Sequence, residues 1–170
     1  LIDKLYKFHS LTVEEYQYLL DNRNSETALY LREKADKVRR EYYGNKIFIR
    51  GLIEISNVCK NNCLYCGIRG GNGNCERYRL SQEEILSCCE NGYELGFRTF
   101  VLQGGEDPFY TDEMMCKIIS SIRERFPDCA ITLSVGEKSK KSYTDFWNAG
   151  ADRFLLRHET ATDDHYQKLH

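Results

Sequence analysis

From residue 47 onward, strand-like apolar runs alternate with helical patterns, and this alternation limits the fold more than any other feature. The predicted strands cover residues 47–49 with 52–55, 99–103, 130–135 and 153–157. The predicted helices cover residues 81–95, 111–126 and 140–148, and a further helix begins near Thr162. In the helix over 140–148, we expect Tyr143, Phe146 and Trp147 to face inward. Strands joined by helical crossovers pair in parallel, so the chain is predicted to be an α/β protein.

Two α/β architectures fit this pattern, a (β/α) barrel of TIM type and an open doubly wound sheet. The predicted strands are followed by glycine or polar residues, which are Asn57 and Cys59, then 104–106, 136–137 and 157–159. Active sites of β/α barrels lie at that end of the strands, which favours the barrel. A full barrel has about eight strands and ~250 residues, whereas about four units are visible here. We therefore expect the first half of a barrel, in a fragment of a longer protein.

The first 44 residues are predicted to be helical. Thr12 and Glu15 have the spacing of a capping box, in which each side chain bonds the other residue's backbone N–H. Ser25 is predicted to cap a second helix, which Gly44 ends. We expect residues 1–44 to form a helical layer and residues 45–170 to form the barrel half.

The charge balance excludes several classes of partner. Lys and Arg number 24 and Asp and Glu number 26, which gives a net charge of -2. This balance provides no bulk attraction to nucleic acid or to anionic lipid. No apolar run approaches the ~20 residues that span a bilayer, and the N-terminus lacks a secretory segment. We predict a cytoplasmic protein with no nucleic-acid or membrane partner.

Three of the eight cysteines, Cys59, Cys63 and Cys66, have the spacing C-x3-C-x2-C directly after a predicted strand. Three thiolates that hold a four-iron four-sulfur (4Fe-4S) cluster leave one iron free for a ligand, whereas ferredoxins use four. A structural zinc site also needs four ligands, with Cys75 as the fourth. The spacing favours the cluster, with zinc and coincidence as alternatives. The remaining cysteines are predicted to be buried thiols: Cys88, Cys89, Cys116 and Cys129.

With Tyr65 before the third cysteine, this segment resembles the signature of the radical S-adenosylmethionine (SAM) superfamily, C-x3-C-x-aromatic-C. Residues 104–106, Gly-Gly-Glu, resemble the second motif of that family. The resemblance implies that Cys59, Cys63 and Cys66 hold a 4Fe-4S cluster whose open iron binds the amino and carboxylate groups of SAM. It further implies that an electron passed into SAM releases methionine and a 5′-deoxyadenosyl radical.

The resemblance also implies roles for side chains at the strand ends. Tyr65 is expected near the adenine of SAM, and Gly104, Gly105 and Glu106 are expected to bind its ammonium group.

Glu137 is expected at the ribose hydroxyls, with a carboxylate at a helix start as the alternative. The guanidinium of Arg157 suits the SAM carboxylate, and the alternative is an ion pair with Glu159 or Glu137. His158 is interpreted as a structural polar group.

Further blocks resemble one branch of the superfamily, the FeFe-hydrogenase maturases of the HydE type. These blocks are residues 50–57, 66–69, 102–108, 133–137 and 157–160. The resemblance implies a role in hydrogenase active-site assembly, with a small-molecule or organometallic substrate. It implies an electron donor of ferredoxin or flavodoxin type and other maturation proteins as partners. The alternatives are a mutase or sulfur-inserting enzyme of the biotin-synthase group, and a non-enzymatic zinc or electron-transfer module.

Overall fold

The structure is a computed structural model that describes all 170 residues, Leu1–His170. It comprises two compact units, Leu1–Phe48 and Ile49–His170. The assignment of residues 1–44 to a helical layer and of 45–170 to a barrel half stays a prediction. None of the helices is both long and apolar enough to cross a membrane.

The first unit contains three helices, α1 (Ile2–Phe8), α2 (Val13–Asp21) and α3 (Ser25–Tyr43). The predicted capping box of Thr12 and Glu15 is confirmed at the start of α2. The predicted cap at Ser25 is wrong, because Asn24 caps α3 and its Oδ1 accepts the N–H of Thr27 at 2.9 Å. The backbone at Asn24 is still extended, which lets its amide side chain reach an N–H group of the first turn of α3.

The second unit is a four-stranded parallel sheet with helices between successive strands. The strands are β1 (Gly51–Ser56), β2 (Thr99–Gly104), β3 (Ala130–Ser134) and β4 (Arg153–Phe154), and they lie in that order. The helices are α4 (Gln82–Glu94), α5 (Asp112–Arg125), α6 (Lys140–Ala149) and α7 (Asp163–Leu169). Every neighbouring pair is parallel, which confirms the α/β prediction. The strand order has no reversal, whereas a doubly wound sheet reverses at its switch point.

Two predicted strands are wrong in extent. Ile47, Phe48 and Ile49 form no strand and are 87%, 67% and 70% exposed, because the pairing of β1 with β2 begins only at Gly51. The strand predicted over 153–157 is limited to two residues. Its neighbour β3 ends at Ser134, and Gly136 with φ 78° turns the chain away, so residues 156–157 have no strand to pair with.

The hydrophobic core lies between the sheet and α4–α6. Ile53, Leu102 and Leu133 occupy equivalent register positions and face these helices. The helices bury a larger apolar set against them: Ile85, Leu86, Cys89, Met115, Ile118, Ile119, Ile122 and Phe146. The opposite face carries Glu54, Gln103 and Ser134 in register.

Two predicted inward side chains point outward instead. Trp147 is 66% exposed while Phe146 is 1% exposed, and Cys88 is exposed while Cys89 is buried. Consecutive helical residues lie about 100° apart around the axis, and in these two helices the neighbour of the buried residue falls on the solvent side.

Candidate functional site

A cavity of about 490 Å³ opens at the carboxyl end of the four strands. The residues predicted to bind the cluster or SAM all line it: Cys59, Cys63, Tyr65, Cys66, Gly104, Gly105, Glu106, Glu137 and Arg157. They come from the last residue of β2 and from the segments that follow β1, β2, β3 and β4. In parallel strands these segments meet at one edge, which brings together residues up to about a hundred positions apart. Their roles as ligands stay predictions.

The three cysteines lie on a segment without regular secondary structure, residues 57–72, which we call the cysteine loop. Cys59 is joined to the end of β2, because its Sγ accepts the N–H of Glu106 at 3.4 Å. The N–H of Lys60 donates to the carbonyl of Glu106 at 3.0 Å. Cys66 follows in a turn, where its N–H donates to the carbonyl of Cys63 at 3.0 Å.

Gly105 is required by this contact between the cysteine loop and β2. A Cβ at Gly105 would lie 2.3 Å from the carbonyl oxygen of Val58 and 2.6 Å from Cβ of Cys59. The oxygen of Val58 belongs to the main chain and Cβ of Cys59 is bonded directly to it, so neither atom can rotate away. The motif therefore has a packing reason beside its predicted role in binding SAM.

Glu106 already has two polar partners in the cavity. Its Oε2 lies 3.1 Å from Nζ of Lys60, and its Oε1 accepts the N–H of Glu137 at 3.4 Å. Gly136 allows this approach, since a Cβ there would lie 2.0 Å from Cγ of Glu106. Lys60 was not among the predicted site residues. Its side chain is 59% exposed, so the ion pair is weak and Lys60 can leave at low cost.

The surroundings of Arg157 and Glu137 bear on the alternative roles considered for these two residues. Arg157 forms no ion pair with Glu159 or Glu137, and its Nη2 donates to Oε1 of Gln103 at 3.3 Å. Glu137 precedes Ser139, which caps α6, and the first turn of α6 contains no acidic residue. Glu137 therefore lies just ahead of α6, two residues before its cap. His158 does not line the cavity.

Tyr65 and Cys63 share one further neighbour, His170. The Tyr65 hydroxyl lies 2.8 Å from Nε2 of His170, and Sγ of Cys63 lies 3.4 Å from Nδ1 of the same ring. Desolvation, with the nearby Glu159 carboxylate and Cys63 thiol, raises the pKa of Tyr65 to about 12. Sequence reasoning missed His170, because more than a hundred residues separate it from Tyr65 and no local pattern joins them.

A buried polar network behind residues 104–106 was also missed. Asp107 is 5% exposed, and its carboxylate accepts from Arg79 at 2.7 and 3.0 Å and from the Ser56 hydroxyl at 2.8 Å. Burial alone would raise the pKa of Asp107, but the bonds from Arg79, Ser56 and the Phe109 N–H outweigh it and hold that pKa below its usual value. The network joins β1, the segment before α4 and the end of β2.

The chemistry of the cavity lining fits a cluster with three cysteine ligands, because the lining contains Cys59, Cys63 and Cys66. No three His, Cys, Asp or Glu side chains converge closely enough to hold a single metal ion. Tetrahedral zinc with bonds of about 2.3 Å needs sulfur atoms about 3.8 Å apart, whereas the cysteines of a cluster bind separate irons. Cys75 does not line the cavity, and its Sγ lies 3.6 Å from Nδ2 of Asn57. The cavity therefore contains the three thiols of the predicted cluster site without Cys75, the fourth ligand considered for zinc.

Comparison with known proteins agrees with this geometry. The profile of the Radical SAM superfamily matches residues 53–170. The chain belongs to the radical SAM superfamily. This superfamily consists of enzymes that use a 4Fe-4S cluster and SAM, so family membership confirms the two predicted cofactors of this radical SAM chain.

Two curated relatives of this radical SAM chain are informative. The chain is 43% identical over 150 residues to the FeFe hydrogenase maturase subunit HydE of Thermotoga maritima, covering 88% of this chain and 42% of that protein. It is 31% identical over 169 residues to 3-methylornithine synthase of Methanosarcina acetivorans, covering 98% and 48%. The chain spans less than half the length of these relatives.

Solved structures support the barrel architecture of this radical SAM chain. Methylornithine synthase (PylB) superposes with a TM-score of 0.85 at 30% identity, covering 99% of this chain and 50% of that one. HydG, a maturase of the FeFe-hydrogenase, superposes with a TM-score of 0.88 at 26% identity, covering 99% and 38%. The prediction of a barrel of the radical SAM kind is confirmed.

Proposed function

We propose that this protein is a radical SAM enzyme of the HydE type that acts in assembly of the FeFe-hydrogenase active site. The observation that carries the proposal is the 43% identity to HydE over 88% of the chain. The common cavity of the nine predicted site residues supports it. When bound, the cluster and SAM supply one-electron cleavage of SAM and a 5′-deoxyadenosyl radical.

Cys59, Cys63 and Cys66 are the proposed ligands of the cluster. The N–H of Glu106 donates to Sγ of Cys59 at 3.4 Å. This bond from the end of β2 fixes the side chain of Cys59 in the cavity wall.

The SAM-binding roles follow from charge. Arg157 is proposed to bind the carboxylate, since its present partner Gln103 is neutral and no ion pair needs to break. Glu106 is proposed to bind the ammonium group after Lys60 withdraws into solvent. Glu137 is assigned to the ribose hydroxyls and Tyr65 to the adenine, both from their positions in the cavity wall.

The proposed partners follow the same relationship to HydE. They are a small-molecule or organometallic substrate, an electron donor of ferredoxin or flavodoxin type and other hydrogenase maturation proteins. A second candidate is a role like that of 3-methylornithine synthase, which is favoured by 31% identity over 98% of the chain.

Anaerobic reconstitution of the full-length protein tests the enzymatic proposal. We expect about four irons per chain, together with SAM cleavage under dithionite, in the wild type and in Cys75→Ser. The variants Cys59→Ser, Cys63→Ser and Cys66→Ser are each expected to lose both. One zinc per chain without SAM cleavage would indicate the non-enzymatic module.

Complementation then separates the two enzymatic candidates. We expect the full-length gene to restore hydrogenase activity in a strain that lacks HydE and not to restore 3-methylornithine formation in a strain that lacks that synthase. The reverse result would replace the maturase proposal with the second candidate.

A further inference from the structure

One arginine outside the cavity connects both ends of the cysteine loop. The guanidinium of Arg77 donates to the backbone carbonyl of Asn57, to that of Ile68 at 2.8 Å, to that of Arg69 at 2.8 Å and to that of Asn72 at 3.1 Å. Asn57 stands two residues before the first cysteine, and Ile68 stands two residues after the third. We call these four carbonyls with Arg77 the neck of the loop.

The chemistry of the neck requires arginine in particular. A planar guanidinium has five N–H donors in a fixed fork, so it can serve several carbonyls at once, whereas the lysine ammonium has three donors on a flexible stem. Arg77 forms no ion pair with an acidic side chain, unlike Arg79, which pairs with Asp107. All four hydrogen bonds of Arg77 go to the main chain, so their effect is on the path of the backbone.

Arg77 is itself fixed by its neighbours in sequence. Nδ2 of Asn57 donates to the carbonyl of Glu76 at 2.7 Å, and Oδ1 of Asn57 accepts the N–H of Tyr78 at 2.8 Å. The residue that begins the loop therefore holds the segments on both sides of Arg77. The neck is a closed set of hydrogen bonds made entirely by groups of this chain.

We infer that Arg77 is a positioning residue for the cluster, which holds Cys59, Cys63 and Cys66 on one cavity wall before iron arrives. A loop without regular structure must lose chain entropy when its ends are brought together, and Arg77 makes that closure part of the fold. Iron then binds a site that is already closed. This inference rests on the proposed cluster function of the three cysteines.

The test compares Arg77→Lys and Arg77→Gln with Arg69→Gln in the full-length protein. Arg69 is the matched control, since it lies in the cysteine loop and the one hydrogen bond of its side chain goes to Oδ1 of Asn62, at 3.4 Å. Loss of groups that orient metal ligands costs about 10- to 100-fold in metal affinity. We expect a chelator to remove iron about 10- to 100-fold faster from both Arg77 variants, and as slowly from Arg69→Gln as from the wild type.

Hydrogen exchange of the metal-free protein provides a second readout. We expect amides of residues 58–72 to exchange faster in both Arg77 variants, while amides of β2 and β3 exchange as in the wild type. Wild-type iron retention in Arg77→Lys would overturn the inference. Faster exchange throughout β2 and β3 would also overturn it, because Arg77 would then support the whole fold. A wild type that takes up no cluster would refute the proposed function. The exchange data would still test whether Arg77 holds the cysteine loop closed.

Discussion

Substitution of Gly105 by alanine should displace the cysteine loop from the end of β2. The added Cβ would lie 2.3 Å from the Val58 carbonyl oxygen, whereas ordinary contacts begin at 3.4 Å, so the loop must move by about 1 Å. Overpacking of this kind costs about 1–3 kcal/mol. A displacement of about 1 Å at a reacting centre can cost roughly a hundredfold in rate. Gly105→Ala should therefore reduce both stability and cofactor function.

Gly67→Ala is the matched control, because Gly67 lies in the cysteine loop that Gly105 contacts and a Cβ there meets no atom within 4 Å. We expect Gly67→Ala to change the free energy of unfolding by less than about 0.5 kcal/mol. Denaturant unfolding of the metal-free proteins measures the change in the free energy of unfolding. Iron content after reconstitution measures cluster assembly, and the rate of SAM cleavage measures cofactor function.

Equal behaviour of the two alanine variants in all three measurements would refute the steric argument for Gly105. A loss of stability without loss of iron or of SAM cleavage would show that the loop relaxes without disturbing the thiols. That result would mean that Gly105 is needed for packing but not for the placement of Cys59.

Three further predictions concern the buried network, the cavity and the core. Asp107 has a lowered pKa, so its contribution to stability is present above its unfolded pKa and is lost as pH falls through the folded value. The unfolding free energy of the wild type should thus fall below about pH 4, and Asp107→Asn should flatten this dependence in denaturant titrations. Glu106→Gln should weaken SAM binding about 10- to 100-fold by equilibrium dialysis, since a bond to a charged group contributes about 1.5–3 kcal/mol, whereas Lys60→Ala should not weaken it. Ile118→Ala, in the fully packed face of α5, should lower the unfolding free energy by about 2–5 kcal/mol, and a loss below 1 kcal/mol would contradict the described core.

Local signals in the sequence predicted the capping box of Thr12 and Glu15, which joins residues only three apart. They misplaced the cap of α3 by one residue, at Ser25 instead of Asn24. The parallel strands β2 and β3 were also recognisable, since both faces of a buried strand must be apolar. Residues 47–49 have the same apolar character without a strand partner, so composition alone was misleading there.

The cavity lining was predictable to a useful extent because chemistry-bearing residues follow every strand. What could not be predicted is how these residues share partners. Lys60 pairs with Glu106, and Arg157 bonds Gln103 instead of an acidic residue. Such choices depend on side-chain reach across neighbouring strands, which no spacing along the chain encodes.

The sequence by itself determined the parallel α/β architecture and the group of residues that meet at the carboxyl end of the sheet. Both follow from periodicity and from the direction of parallel strands, which are properties of the chain near each residue. Only the tertiary structure decided how the cysteine loop is closed and supported, through Arg77, Gly105 and the Asp107–Arg79 pair. These contacts form only when segments that are remote in sequence are placed closely against one another. Only the folded chain sets that placement.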